Sequence, residues 1–290
     1  MDTGAAPYFK YLEFSTLCLA SAILWWQPLR STLHLALSSD SYTHILLILP
    51  VCFALSFAER RQSLNGSLDR WVGWAPLLLG VLVRAVVLGG HFHLSTSDTL
   101  AITIFALVLW WIGSVIVCFG FSAARSHLFT LCFLFLFVPL PDEAVNWIVD
   151  MLQNTSAAAS SALFRMAQVP VTRQGILLSI PGLDIEVARE CSSIRSSTML
   201  VVLTLVLAHL FLRSGWRQTL LVLAAIPLSI AKNAVRIFTI AQLATRVDPS
   251  YLDGRLHHQG GVVFLALAAL VTILLLCILR KGELPDRGTG

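Results

Sequence analysis

Apolar runs close to twenty residues long recur along this chain, and they dictate what it can become. The last of them, Gly261–Leu279, reads GVVFLALAALVTILLLCIL and holds no charged side chain. In a hydrocarbon core the backbone amides and carbonyls find no outside partner, so each run must close its own hydrogen bonds as a helix of roughly 20 residues. The alternative of a soluble domain fails on composition. With 57% hydrophobic and 12% charged residues over 290 positions, too little polar surface exists to cover such a core. The expected fold is therefore a single all-α polytopic membrane domain over residues 1–290, with about eight transmembrane helices.

The spans expected are Phe14–Ala36, His44–Phe57, Trp71–Leu88, Asp98–Phe121, His127–Leu140, Ile194–Leu212, Gln218–Ala244 and Gly261–Leu279, the second and fifth being short. Glu13 and the lack of a small-residue cleavage site mark the first as a retained span rather than a removed signal. The connections Glu59–Arg70, Ser122–His127 and Arg213–Arg217 and the tail Arg280–Arg287 are basic, whereas Gly89–Asp98 has no Lys or Arg. By the positive-inside rule the basic set faces the cytoplasm, which puts both termini inside. Most tryptophans fall near run ends, as an interfacial belt requires, but Trp110 and Trp111 fall mid-span.

The connection between the fifth and sixth spans is the longest. Its first half begins Pro-Asp-Glu and spaces Val145, Ile148, Val149 and Leu152 helically, which predicts an amphipathic helix on the outer surface. Its second half, with Gly175, Pro181 and Gly182 punctuating two β-prone pieces, predicts a short β-hairpin. Residues from about 282 to 290 read as a disordered tail.

The net charge of +4 is scattered rather than gathered in a basic stripe, so nucleic acid is excluded as a partner. Of six cysteines, Cys18, Cys52, Cys118, Cys132 and Cys277 lie inside apolar runs, and only Cys191 sits in a polar flank, VARECSSIRSS. That flank precedes the sixth span at its outer end. The seventh span carries Lys232, Asn233 and Arg236, and His257 and His258 stand just before the eighth. Arg236, roughly three helical turns from the outer end of its span, is long enough to snorkel outward.

A cysteine, an arginine and a histidine thus converge on one face from three helices. A guanidinium, an imidazolium or the positive end of the helix that starts at Ile194 raises the thiolate fraction of a cysteine. Histidine can protonate a leaving amine, and arginine can hold an oxyanion without losing its charge. Arg195, four residues after Cys191, is a second group for activating the thiol, and Arg189 also flanks it. Ordinary readings stand beside these: a packing cysteine, interfacial histidines and a snorkelled arginine. Arg84 in the third span serves as the comparison, with no partner evident in the sequence. His91, His93, His257 and His258 share the outer side and raise a zinc or copper alternative, although no carboxylate-helix motif accompanies them.

The motifs ARECSSI (Ala188–Ile194), NAVR (Asn233–Arg236) and HHQGGVVF (His257–Phe264) resemble those of the exosortase and archaeosortase family of membrane cysteine transpeptidases. The early segment Asp40–Arg61 is similar to that family's D-x-Y-x-H span and basic turn. Two departures are Ser193 where the family most often has Gly, and a doubled histidine. Counting four back from Gly261 favours His257 over His258 as the family's histidine. The resemblance implies catalytic roles for Cys191, Arg236 and His257, with Asn233 in support and no cofactor. It implies as partners secreted proteins of the PEP-CTERM type, with a C-terminal motif, a transmembrane helix and a basic tail, processed at the outer face of a bacterial inner membrane beside exopolysaccharide systems. Besides the membrane lipids themselves, the competing readings are a transporter of an anionic substrate, with a packing Cys191, and an inactive scaffold for polysaccharide assembly.

Overall fold

The computed structural model describes residues 5–58, 70–90, 94–187, 194–248, 250 and 255–283. Among them six helical segments are long and apolar enough to cross a membrane: Asp40–Phe57, Arg70–Leu88, Thr96–Phe119, Ile194–Phe211, Gly215–Arg246 and Gly261–Lys281. A seventh is added if the broken pair Leu128–Phe137 and Asp142–Met166 counts as one span. The architecture is the helical membrane fold expected, and the count of about eight holds only approximately. The chain divides into two compact units, Met1–Ala144 and Val145–Gly290.

In the first unit α5 (Thr96–Phe119) is the central post, and α1 (Ala5–Leu24), α2 (Trp26–Ser38) and α4 (Trp74–Leu88) all pack on it. Its start is set by Ser95, whose Oγ accepts the Asp98 backbone N–H at 3.0 Å, and its end by Gly120 at φ 91°. The α4–α5 seam depends on missing side chains. A Cβ on Gly80 would lie 2.6 Å from the Ala106 carbonyl oxygen, and one on Gly113 would lie 2.7 Å from the Leu77 nitrogen. Small residues let helix backbones approach where lipid offers no hydrophobic drive to association.

The expected first span, Phe14–Ala36, is instead two helices that break at Trp25. Pro28 is the reason: it has no N–H for the Leu24 carbonyl, and its ring crowds that carbonyl. Indoles fasten the broken segment to α5. Trp25 Nε1 donates to the Thr103 carbonyl at 2.9 Å, Trp110 Nε1 to the Leu17 carbonyl at 3.1 Å and Trp111 Nε1 to Ser21 Oγ at 3.0 Å. Trp110 and Trp111 therefore sit mid-span as interhelical hydrogen bonders and not as part of an interfacial belt. Arg84 also has a partner that its sequence position hid, since its Cζ stands 5.2 Å from the Trp25 ring centroid. Further along the unit come α3 (Ile45–Ala58), α6 (Phe121–Ser126) and α7 (Leu128–Phe133); the fifth expected span reduces to α7 and a 3-10 turn, Leu134–Phe137.

In the second unit α9 (Ile194–Phe211), α10 (Gly215–Arg246) and α11 (Arg255–Lys281) pack on one another. One end of this trio is a cluster of Ala208, Leu212, Leu221 and Leu276. There the Glu283 carboxylate accepts the backbone N–H groups of Arg213 and Ser214, at 3.0 and 2.8 Å, while Arg217 donates to the carbonyls of Leu279 and Gly282. Those amide donors hold the Glu283 carboxyl below its usual range. Gly282 and Glu283 are thus packed, and residues 284–290 lie outside the described set.

The other end carries α8 (Asp142–Met166) and an antiparallel sheet. The sheet has three strands, β1 (Thr172–Gln174), β2 (Leu177–Ile180) and β3 (Leu183–Glu186), one more than the expected hairpin. Gly175 at φ 61° and Gly182 at φ 82° make its two tight turns, the second a Pro-Gly pair of type II character. Ala157 and Phe164 of α8 join Leu178, Ile180, Val187, Ile237 and Ala241 in one buried cluster, so this part of the amphipathic stripe faces the sheet and α10.

Candidate active site

α10 has 32 residues, about 48 Å at 1.5 Å per residue, whereas α9 has 18. On α10 the polar residues Ser229, Lys232, Asn233 and Arg236 fall at i, i+3, i+4 and i+7, which puts all four on one face. That face is buried: Lys232 and Arg236 are each 6% exposed and Asn233 is fully enclosed. A Lys or Arg at the centre of a membrane helix costs about 2.5–3.5 kcal/mol on insertion scales, so the fold must supply partners for both cations.

One of those partners is visible on α9. Lys232 Nζ donates to Ser196 Oγ, in the first turn of that helix, and Ser196 and Ser197 are both buried. Among the described residues Ser197 Oγ and Ser229 Oγ have no hydrogen-bond partner, which leaves two buried hydroxyls able to bind water or a polar ligand. Arg195, between Ile194 and this pair, is exposed.

At the sheet the chain is held just as firmly. The Val187 N–H donates to the Ile176 carbonyl at 3.0 Å, and the Val187 carbonyl accepts from Gln153 Nε2 of α8 at 2.7 Å. Val187 is itself fully buried in the cluster that contains Ile237 and Ala241 of α10. The chain therefore contacts α10 immediately before residue 188, near Ile237, and again at Ser196, near Lys232. Arg236 lies on α10 between those two points.

Cys191 and Arg189 belong to residues 188–193, outside the described set, as do His91 and His93. His257 and His258 fall in the first turn of α11, which packs on both α9 and α10; their side chains also lie outside the described set. Asn233 and Arg236 are thus brought together with Lys232 and the start of α9. The participation of Ser196, Ser197, Ser229 and Gln153 was not anticipated. The helical period of the polar positions on α10 signalled Ser229, whereas nothing local signals a bond from Gln153 to a carbonyl 34 residues away.

A bundle of apolar helices with a buried cationic stripe facing a helix start defines an integral membrane protein with a polar site inside its helical core. Its sequence matches the description of the transmembrane exosortase family over residues 17–274, most of its length, and the chain belongs to that family. Membership supports a membrane transpeptidase or protease role in general, acting on secreted proteins that carry sorting signals. No curated protein and no solved structure matches the chain.

Proposed function

We propose that this protein is a membrane cysteine transpeptidase or protease that cleaves C-terminal sorting signals of secreted proteins at the outer face through a thioester. The observation that supports it most is the pair of anchors on α10: Val187 beside Ile237 and Ser196 beside Lys232 bracket both Arg236 and the segment containing Cys191. In this reading the Cys191 thiolate attacks the carbonyl carbon of the scissile amide, and the oxygen takes up negative charge that the Arg236 guanidinium stabilises. As the C–N bond breaks, His257 gives its proton to the departing amine. An acceptor amine or water then attacks the thioester and releases the thiol. His258 is the alternative proton donor, Arg195 an additional cation near the thiol, and Asn233 a support for Arg236.

The sorting helix of the substrate enters laterally among the spans, with its basic tail on the cytoplasmic side. The test is co-expression with a tagged secreted protein bearing a sorting tail, an acid quench, and comparison of wild type, Cys191→Ala and Arg236→Ala with and without hydroxylamine. A hydroxylamine-sensitive adduct that requires Cys191 is the expected result. Normal processing by Cys191→Ala sinks the mechanism. The buried cations also suit an anion transporter; in that case Cys191 is inert to an external thiol reagent.

A further inference from the structure

Lys232 is the one buried lysine among the described residues, and its surroundings are unfavourable for a charge with no task. Arg236 stands one turn further along the same helix, equally buried. The hydroxyl that Lys232 grips, Ser196 Oγ, belongs to the first turn of α9, where unsatisfied amides give a helix its partial positive end. Two side-chain cations and a helix N-terminus thus raise the potential at one place, although every one of them repels the others.

We infer that Lys232 is a positioning residue for the proposed thiol chemistry: through its hydrogen bond to Ser196 it clasps the first turn of α9 to α10, and it holds its charge beside the chain leading to Cys191. The inference rests on the cysteine reading above. Ser196 follows Cys191 by five residues, and from Ile194 onward the chain is helical, so the clasp fixes where the nucleophile segment ends. A fixed ammonium stabilises a thiolate, and a fixed helix start keeps the thiol in register with Arg236. A neutral side chain of similar length would pack in the same space and supply neither effect.

The other charged groups on the elements that pack here are few. Arg195 on α9, Asp184 and Glu186 on β3, and Asp150 and Arg165 on α8 are all exposed, and His257 and His258 belong to the first turn of α11. Lys232 and Arg236 are the two charges enclosed among the described residues.

The experiment uses the full chain in its membrane and follows alkylation of Cys191 by N-ethylmaleimide, read at its own peptide by mass spectrometry across a pH series. Wild type should show a midpoint below the ordinary thiol value of about 8.5. Lys232→Met should move the midpoint upward and slow labelling at neutral pH by about threefold or more, whereas Lys232→Arg, which keeps the charge, should stay within about twofold of wild type. Ser196→Ala should shift the midpoint in the same direction as Lys232→Met, because the ammonium is no longer held at the turn. It also carries the test if Lys232→Met does not accumulate. A wild-type midpoint in Lys232→Met or Ser196→Ala overturns the clasp, as does Lys232→Arg behaving like Lys232→Met. The cysteine reading fails separately, by Cys191→Ala processing the tagged substrate normally.

Discussion

Arg236 and Lys232 are equally buried neighbours on α10, yet the chemistry asks different things of them. The oxyanion role needs a planar fork that never deprotonates, which lysine lacks. Arg236→Lys is therefore expected to lower processing of a tagged sorting substrate by about a hundredfold, the scale of losing one oxyanion donor, while membrane insertion is unchanged. Glu283 makes a separate prediction. Its carboxyl is held below the usual range by the Arg213 and Ser214 amides, so its contribution to stability is complete above the ordinary carboxylate value and disappears as pH falls through the depressed one. In thermal unfolding, Glu283→Gln should be less stable than wild type at neutral pH, and the difference should close in acid.

Among the elements, α4 and α5 show how a membrane helix pair is held without a hydrophobic drive. Gly80→Val places atoms against the Ala106 carbonyl, and since backbone cannot yield as a flexible side chain does, the pair must separate. A loss of about 1–3 kcal/mol is expected in detergent unfolding, the usual range for overpacking. The sheet depends on α8 in a comparable way. Gln153→Leu leaves the buried Val187 carbonyl without its side-chain donor, a change worth about 1–3 kcal/mol. Because Val187 is the last anchored residue before the nucleophile segment, this variant should also be cut faster by protease between residues 188 and 193 and should process substrate more slowly.

For the whole molecule, the distribution of basic connections argues that both termini are cytoplasmic and the proposed site external. A reporter that fluoresces only in the cytoplasm, fused after Gly290, is expected to be bright, and a dark fusion would reverse the orientation of the site. The two units were not separable by composition, because both are built from similar apolar helices. Their internal architectures differ all the same: the first is organised around one central helix, the second around three helices with a sheet and α8 at one end.

What the sequence determined by itself was the membrane class, most of the spans, the helix and strands before Ile194, and the family, because each follows from local hydropathy, turn residues or a short motif. It also singled out Lys232, Asn233 and Arg236, since charge within an apolar run is conspicuous without any structure. Only the tertiary structure decided that Trp25, Trp110 and Trp111 are interhelical fasteners, that Arg84 rests on Trp25, and that Lys232 grips Ser196. These contacts join residues 36 to 93 positions apart. A partner at that separation is chosen by how helices pack, and no periodicity or propensity along the chain records the choice.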